Sequence, residues 1–163
     1  MIRPLRADEA EQLRELRLRA LRVSPEAFAS RFEDFRERPP GFWSEWAARS
    51  AAAESEVTLV AVEEDRWLGM VGARLLTDPP GSAWLERLWV DPAARSAGLG
   101  ARLIEAVTEW ARGRGAVRLE LSVTDNNPSA AALYARCGFR ATGRRRPLPA
   151  DPSRIEIFLA RAL

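Results

Sequence analysis

The sequence contains no histidine and no lysine, and all 25 of its basic residues are arginine. A Ser-His-Asp triad is therefore excluded, as is any metal held by imidazole. A phosphate loop that depends on lysine is excluded for the same reason. The single cysteine, Cys137, has no partner for an internal disulfide and cannot by itself build a cysteine zinc site. No metal ligand set is expected. Proton transfer is left to a carboxylate, to the lone tyrosine Tyr134, to Cys137 or to water. No apolar run approaches the ~20 residues of a membrane helix. The N-terminus has no apolar stretch followed by a small-residue cleavage site. With the lone cysteine, these features set the expectation of a cytoplasmic protein with no membrane partner.

What is present is ordinary globular composition. The 163 residues are 47% hydrophobic and 29% charged, enough for one self-sufficient domain over residues 1–163. The net charge is only +2 although the pI is near 9.4, because arginine stays charged far above neutrality. The densest basic cluster, Arg144-Arg145-Arg146, reads as a solvated loop. Nucleic-acid binding would want a broader stripe with interleaved aromatics, so no nucleic acid is expected as a partner.

A short strand near Pro4 hands over to a helix across residues 9–22, with Asp8 as the expected cap. Leu13, Leu16, Ala20 and Leu21 form the apolar stripe of that helix. Pro39 and Pro40 precede a second helix over roughly residues 41–52. Residues 57–62 and 67–76 read as a hairpin, and residues 84–90 as a further strand ended by Asp91-Pro92. A glycine-punctuated stretch opens a helix that runs to about Ala111. Residues 117–123 alternate as a two-faced strand. Pro128 starts a short helix through Arg136, and two final strands follow. The order is β-α-α-β-β-β-α-β-α-β-β, an α+β or α/β mixed sheet.

The most informative stretch runs from Val90 to Leu103: a strand, a turn, then Gly98 and Gly100 opening a helix. The first turn of a helix leaves backbone N–H groups unpaired, and the helix dipole adds positive potential there. Glycines remove side chains that would block approach, which makes a cradle suited to a pyrophosphate. Arg95 at its edge is placed to pair with phosphate oxygens. A glycine-rich turn alone is equally consistent with a tight structural turn.

Arg95-Ser96-Ala97-Gly98-Leu99-Gly100 resembles the R/Q-x-x-G-x-G/A signature of the GNAT acetyltransferases. Asn127 to Phe139 resembles the second signature of that family, N-x-x-A-x-x-L-Y-x-x-x-G-F, in the same order and at the same spacing. The resemblance covers nearly the whole chain. It implies a central, mostly antiparallel mixed sheet of about six to seven strands, flanked by about four helices, with the fourth and fifth strands splayed apart. It implies acetyl-CoA as cofactor. The pantetheine arm would pair with the backbone of Leu88, Trp89 and Val90, in the manner of an added strand. The amides from Arg95 through Ser96, Ala97, Gly98, Leu99 and Gly100 to Ala101 would hold the pyrophosphate. Asn127, Ala130, Tyr134 and Arg136 would line the other side.

The implied reaction is direct attack of an amine on a thioester. Glu86, on the strand beside the wedge, is the candidate general base, directly or through a water. The alternative for Glu86 is an ion pair with one of the many arginines. Tyr134 is the candidate general acid toward the departing sulfur; the alternative is an aromatic packing the core. Cys137 reads as a small buried hydrophobe, not as the nucleophile of an acyl-cysteine route. Phe28, Phe32, Trp43 and Trp46 are candidates to line the acceptor site, with core packing as the competing role for each. Rival functions are transfer to a different acceptor and a non-catalytic acyl-CoA-binding regulatory module. A homodimer is the family-level expectation. The loops near residues 23–40, 77–83 and 144–153 would set acceptor specificity.

Overall fold

A computed structural model describes residues 1–95 and 98–163. The chain forms β1 (Ile2–Pro4), α1 (Ala10–Val23), α2 (Phe32–Arg36), α3 (Pro40–Ala52), β2 (Glu56–Glu63), β3 (Arg66–Leu75) and β4 (Ser82–Val90). It continues with α4 (Leu99–Gly113), β5 (Arg118–Thr124), α5 (Pro128–Arg136), β6 (Arg140–Leu148) and β7 (Asp151–Ala162). The seven strands make one sheet in the order β1-β2-β3-β4-β5-β7-β6. Every pairing is antiparallel except β4 with β5.

Each face of the sheet carries its own core. On one face α4 sets Leu103, Ile104 and Val107 against Val71, Leu85 and Leu121. On the other, α1 and α3 set Leu13, Leu16, Trp43 and Trp46 against Val60, Met70 and Trp89. Buried side chains of this kind each contribute roughly 1.5–3 kcal/mol. β2 lies between the two helical layers, which is why six consecutive residues, Val57 to Val62, are buried and show no alternation.

The structure departs from the sequence reading in three places. Five α-helices flank the sheet where about four were expected, because the short α2 fills the segment between Pro25 and Pro39. Asp34 caps α2 by accepting from the Arg31 amide at 3.1 Å and its guanidinium at 3.3 Å. The N-cap of α1 is Glu9, not Asp8. Its carboxylate accepts from the Arg6 amide at 2.9 Å and is gripped by Arg3 at 2.6 and 2.8 Å, so the turn out of β1 is tied by an ion pair. Arg144 to Arg146 lie on β6, not in a loop: β6 and β7 extend to a tight turn near residue 150, and their pairing buries little of the edge strand.

α4 begins where the glycines placed it. Gly98 is its N-cap with φ +70°, a conformation that strains any side chain. At Gly100 a Cβ would stand 3.0 Å from Leu133, so its absence lets α4 and α5 close together. Gly115 and Gly138, each two residues past the ends of α4 and α5, take positive φ.

Candidate active site

β4 and β5 pair only at Ser82–Arg118, Ala83–Leu119 and Trp84–Glu120. Beyond Trp84 the strands part, and β5 pairs onward with β7 alone. The stretch from Leu85 to Val90 thus has an unpaired edge facing a wedge. The Asp91 N–H donates across to the Leu68 carbonyl on β3 at 2.8 Å. Strand alternation therefore turns the peptide groups of Val90 the other way, into the wedge. The Trp89 carbonyl, by contrast, faces β3, so close to Gly69 that a Cβ there would lie 2.6 Å from the oxygen.

β4 is bulged. Two steps along β3, from Met70 to Gly72, span three along β4, from Trp89 to Glu86, and Arg87 takes φ +57°. Glu86 pairs with Gly72, and the Arg87 guanidinium lies 3.0 Å from where a Gly72 Cβ would be. Both side chains are therefore directed to the α1/α3 face. Glu86 contacts Arg87 and lies 3.8 Å from Arg74. The Arg87 guanidinium lies over the Trp46 ring at 4.6 Å. The ion-pair environment considered for Glu86 is thus present, from two arginines at once.

At the mouth of the wedge, α4 presents its first turn. The first intrahelical bond runs from the Arg102 amide to the Gly98 carbonyl, so the amides of Leu99, Gly100 and Ala101 have no partner within the helix. Ser96 and Ala97, two residues of the expected cradle, lie outside the described residues. Arg95 is turned back from it: Nε donates to the Val90 carbonyl at 3.0 Å and Nη2 to Ser24 Oγ at 2.9 Å. Buried Ser24 also accepts the Trp89 indole N–H at 3.1 Å.

Between β5, α5 and the segment that follows α1 is a cavity of about 50 Å³. Phe28, Asn127, Ala130 and Tyr134 line it, together with Ser122 and Glu156. Asn127 caps α5 by accepting from the Ala130 amide at 3.2 Å. The Tyr134 ring is buried and meets Phe139 edge-on at 5.8 Å, and among the described residues its hydroxyl has no hydrogen-bond partner. Burial, with a lesser push from Cys137, holds the pKa of this phenol well above its ordinary value. Burial also raises the Cys137 thiol, followed by Glu105, which keeps it away from the reactive thiolate.

The other candidates lie apart from this cavity. Trp43 and Trp46 stack at 5.7 Å inside the α1/α3 core, with the Trp46 indole donating to Thr58 at 3.1 Å. Phe32 is half-buried beneath the Arg22 guanidinium at 4.8 Å. Arg136 is exposed on the last turn of α5. A larger cleft of about 250 Å³ between α1 and the β2–β3 turn is lined by none of the candidate residues.

Sequence reasoning did not single out Glu156, Ser122, Arg17 or Arg87. Glu156, on β7, is buried at the cavity wall, accepting from Ser122 at 2.6 Å and Arg146 at 2.7 Å. Its signal is weak, a lone charge within Ile155-Glu156-Ile157. Arg17 had a clearer one: it falls on the apolar stripe of Leu13, Ala20 and Leu21 at helical spacing, and it is 2% exposed.

The sequence profile of the Acetyltransferase (GNAT) family matches residues 11–139. The chain belongs to that family. Glucosamine 6-phosphate N-acetyltransferase 1 of Oryza sativa subsp. japonica is 32% identical over 120 residues, covering 72% of this chain and 64% of that protein. The chain thus spans less than two thirds of that relative. A GNAT-family acetyltransferase structure from Streptococcus pneumoniae superposes with a TM-score of 0.84 at 21% identity, covering 100% of this chain and 99% of that one. The PaiA N-acetyltransferase of Thermoplasma acidophilum, solved in complex with coenzyme A, gives 0.80 at 18%, covering 100% and 98%. These likenesses establish the fold: a seven-stranded mixed sheet parted between β4 and β5.

Proposed function

We propose that this GNAT-family chain transfers an acetyl group from acetyl-CoA to a primary amine, with Glu86 as general base and Tyr134 as general acid. The observation that carries this reading is the parting of β4 from β5, which leaves a β4 edge unpaired beside the first turn of α4, whose leading amides have no partner within the helix, with Tyr134 lining a cavity on the far side of β5. The residues fit the donor. Leu99, Gly100 and Ala101 offer amides for the pyrophosphate, and a side chain at Gly98 would be strained in the backbone that presents them. The inward-facing peptide of Val90 offers strand-like pairing to the pantetheine arm. Bound there, acetyl-CoA supplies the thioester carbon that the amine attacks.

The chain then has two protons to manage. An amine of pKa ~10.4 costs about 4.6 kcal/mol to neutralise at pH 7, whereas a peptide α-amine near ~7.8 costs about 1 kcal/mol. Glu86, directly or through a water, takes the ammonium proton, which matters most for the first kind of acceptor. Tyr134 Oη, kept protonated by burial, gives its proton to the departing sulfur.

Thermal unfolding with acetyl-CoA, CoA and NAD tests the donor site. A ligand that binds only the folded state adds ~2.7 kcal/mol at hundredfold excess over its Kd, a shift of several degrees. Acetyl-CoA and CoA should give it and NAD should not; no shift at high concentration refutes the reading. Glu86→Gln should lower kcat by about 10²-fold or more on a lysine-like amine. An unchanged kcat would return Glu86 to the role of ion-pair residue.

A further inference from the structure

Around the β4 bulge, positive charge exceeds negative charge in a place with little water. Arg17 of α1 is 2% exposed, and its guanidinium lies between the rings of Phe28 at 4.5 Å and Phe35 at 5.0 Å. Among the described residues its Nε and Nη1 are buried with no hydrogen-bond partner, and so is Nε of Arg87. Buried guanidinium nitrogens left unpaired are costly, and such groups normally have partners. The one carboxylate at hand, Glu86, is already shared between Arg74 and Arg87. Glu56 on β2 acts on Arg87 only at a distance. Burial, then the charge of Arg87, pushes the Arg17 pKa down to about 9, with Glu86 pulling the other way. Both arginines remain cations at neutral pH, short of one anion.

This centre adjoins the reacting cavity. The Phe28 ring that covers Arg17 is also a wall of the cavity that holds Tyr134. Gly72 puts no side chain of its own against the Arg87 guanidinium, which lies 3.0 Å from where a Cβ would stand. Glu86 and Arg87 are adjacent and turned to the same face, so an amine meeting Glu86 has its neighbouring atoms beside Arg87.

We propose that the acceptor is an amine carrying an oxyanion a few bonds from its nitrogen, a carboxylate or a phosphate, and that Arg87 backed by Arg17 binds that oxyanion. Guanidinium matches both anions by paired, charge-assisted hydrogen bonds. The incoming oxyanion replaces Glu86 as partner of Arg87. Glu86 is released to take one proton from the substrate ammonium. The neutral nitrogen then forms its bond to the acetyl carbon as the carbon–sulfur bond breaks. Sulfur takes the Tyr134 proton, and the second proton lost by nitrogen restores the phenol through solvent. This rests on the acetyl transfer proposed above and adds the class of substrate.

The test compares matched acceptors with the intact protein and acetyl-CoA, reading CoA release. The twenty common amino acids are set against their carboxamides, and O-phosphoethanolamine against ethanolamine. At least one anionic acceptor should exceed its neutral partner by about 30-fold or more in kcat/KM, chiefly through KM. A carboxylate source and a phosphate source are told apart by which pair shows the preference. In Arg87→Met and in Arg17→Met the preference should fall toward one. Neutral partners equal to or better than every anionic acceptor would overturn the proposal. So would silence toward all anionic acceptors while a polyamine is acetylated, an outcome that leaves the transferase standing. Absence of any acetyl-CoA shift in thermal unfolding would instead bring down the transferase reading, and this proposal with it.

Discussion

Arg17→Met is the perturbation whose outcome separates a residue kept for binding from one kept for the fold. The guanidinium pKa falls well below its ordinary value, to about 9 in the folded chain, chiefly through burial. At ~1.36 kcal/mol per pH unit, that corresponds to a penalty of roughly 5 kcal/mol on the charged form. Two cation–π contacts, with Phe28 and Phe35, return about 1–2 kcal/mol each. The net cost of the charge is then roughly 1–3 kcal/mol. Because the folded pKa is the lower one, the unfolded chain binds more protons above about pH 9, and stability rises with pH from there up to the ordinary arginine range. At neutral pH the cost is present in full. Methionine fills similar volume with a flexible apolar chain and removes it. Differential scanning calorimetry at pH 7 without ligand should show a midpoint higher by roughly 2–12 °C, at about 2–4 °C per kcal/mol for a domain of this size. Activity on an anionic acceptor should fall in the same variant. A midpoint lowered by more than about 5 °C would refute the reasoning, since the cation would then be a support of the fold.

Two further outcomes follow from the same geometry. Gly69→Ala would push a Cβ to 2.6 Å from the Trp89 carbonyl, which is backbone and cannot swing away. Overpacking of this kind costs about 1–3 kcal/mol, and a denaturant midpoint unchanged from wild type would contradict the close β3–β4 approach. Tyr134→Phe should lower kcat about 10²-fold or more. In the wild type the raised phenol pKa should keep the acid protonated, so kcat should show no alkaline loss up to about pH 10 from this group; a tyrosine-dependent fall near pH 9 would contradict the burial that holds it.

The sheet, the glycine-opened helix and the Asn127-capped helix were legible because each is a local pattern: alternation, a cap, a periodic stripe. α2 was not, since its five residues, Phe32–Arg36, carry too little periodicity to stand out between prolines. The site was legible in its motifs and obscure in its charges. Gly98, Gly100 and Tyr134 announce themselves by spacing. Arg87 faces the α1/α3 side only because an extra residue enters β4, and no pattern in Leu85-Glu86-Arg87-Leu88 declares a bulge. Trp43 and Trp46, which looked like candidate lining, stack within the core because α3 turns that side onto the sheet. Arg17 was visible as an interruption of an apolar stripe, but its surroundings come from Phe28 and Phe35, brought in from the following segment.

β6 ends the sheet with no strand beyond it. A free edge of this kind is an invitation to any other extended chain, including an identical one. Here the edge carries Arg144, Arg145 and Arg146 in succession and then Pro147, which lacks an N–H to offer. Two copies approaching edge to edge would bring six guanidinium groups together and find a donor missing at each proline. The outermost strand thus works against recruitment into a longer sheet.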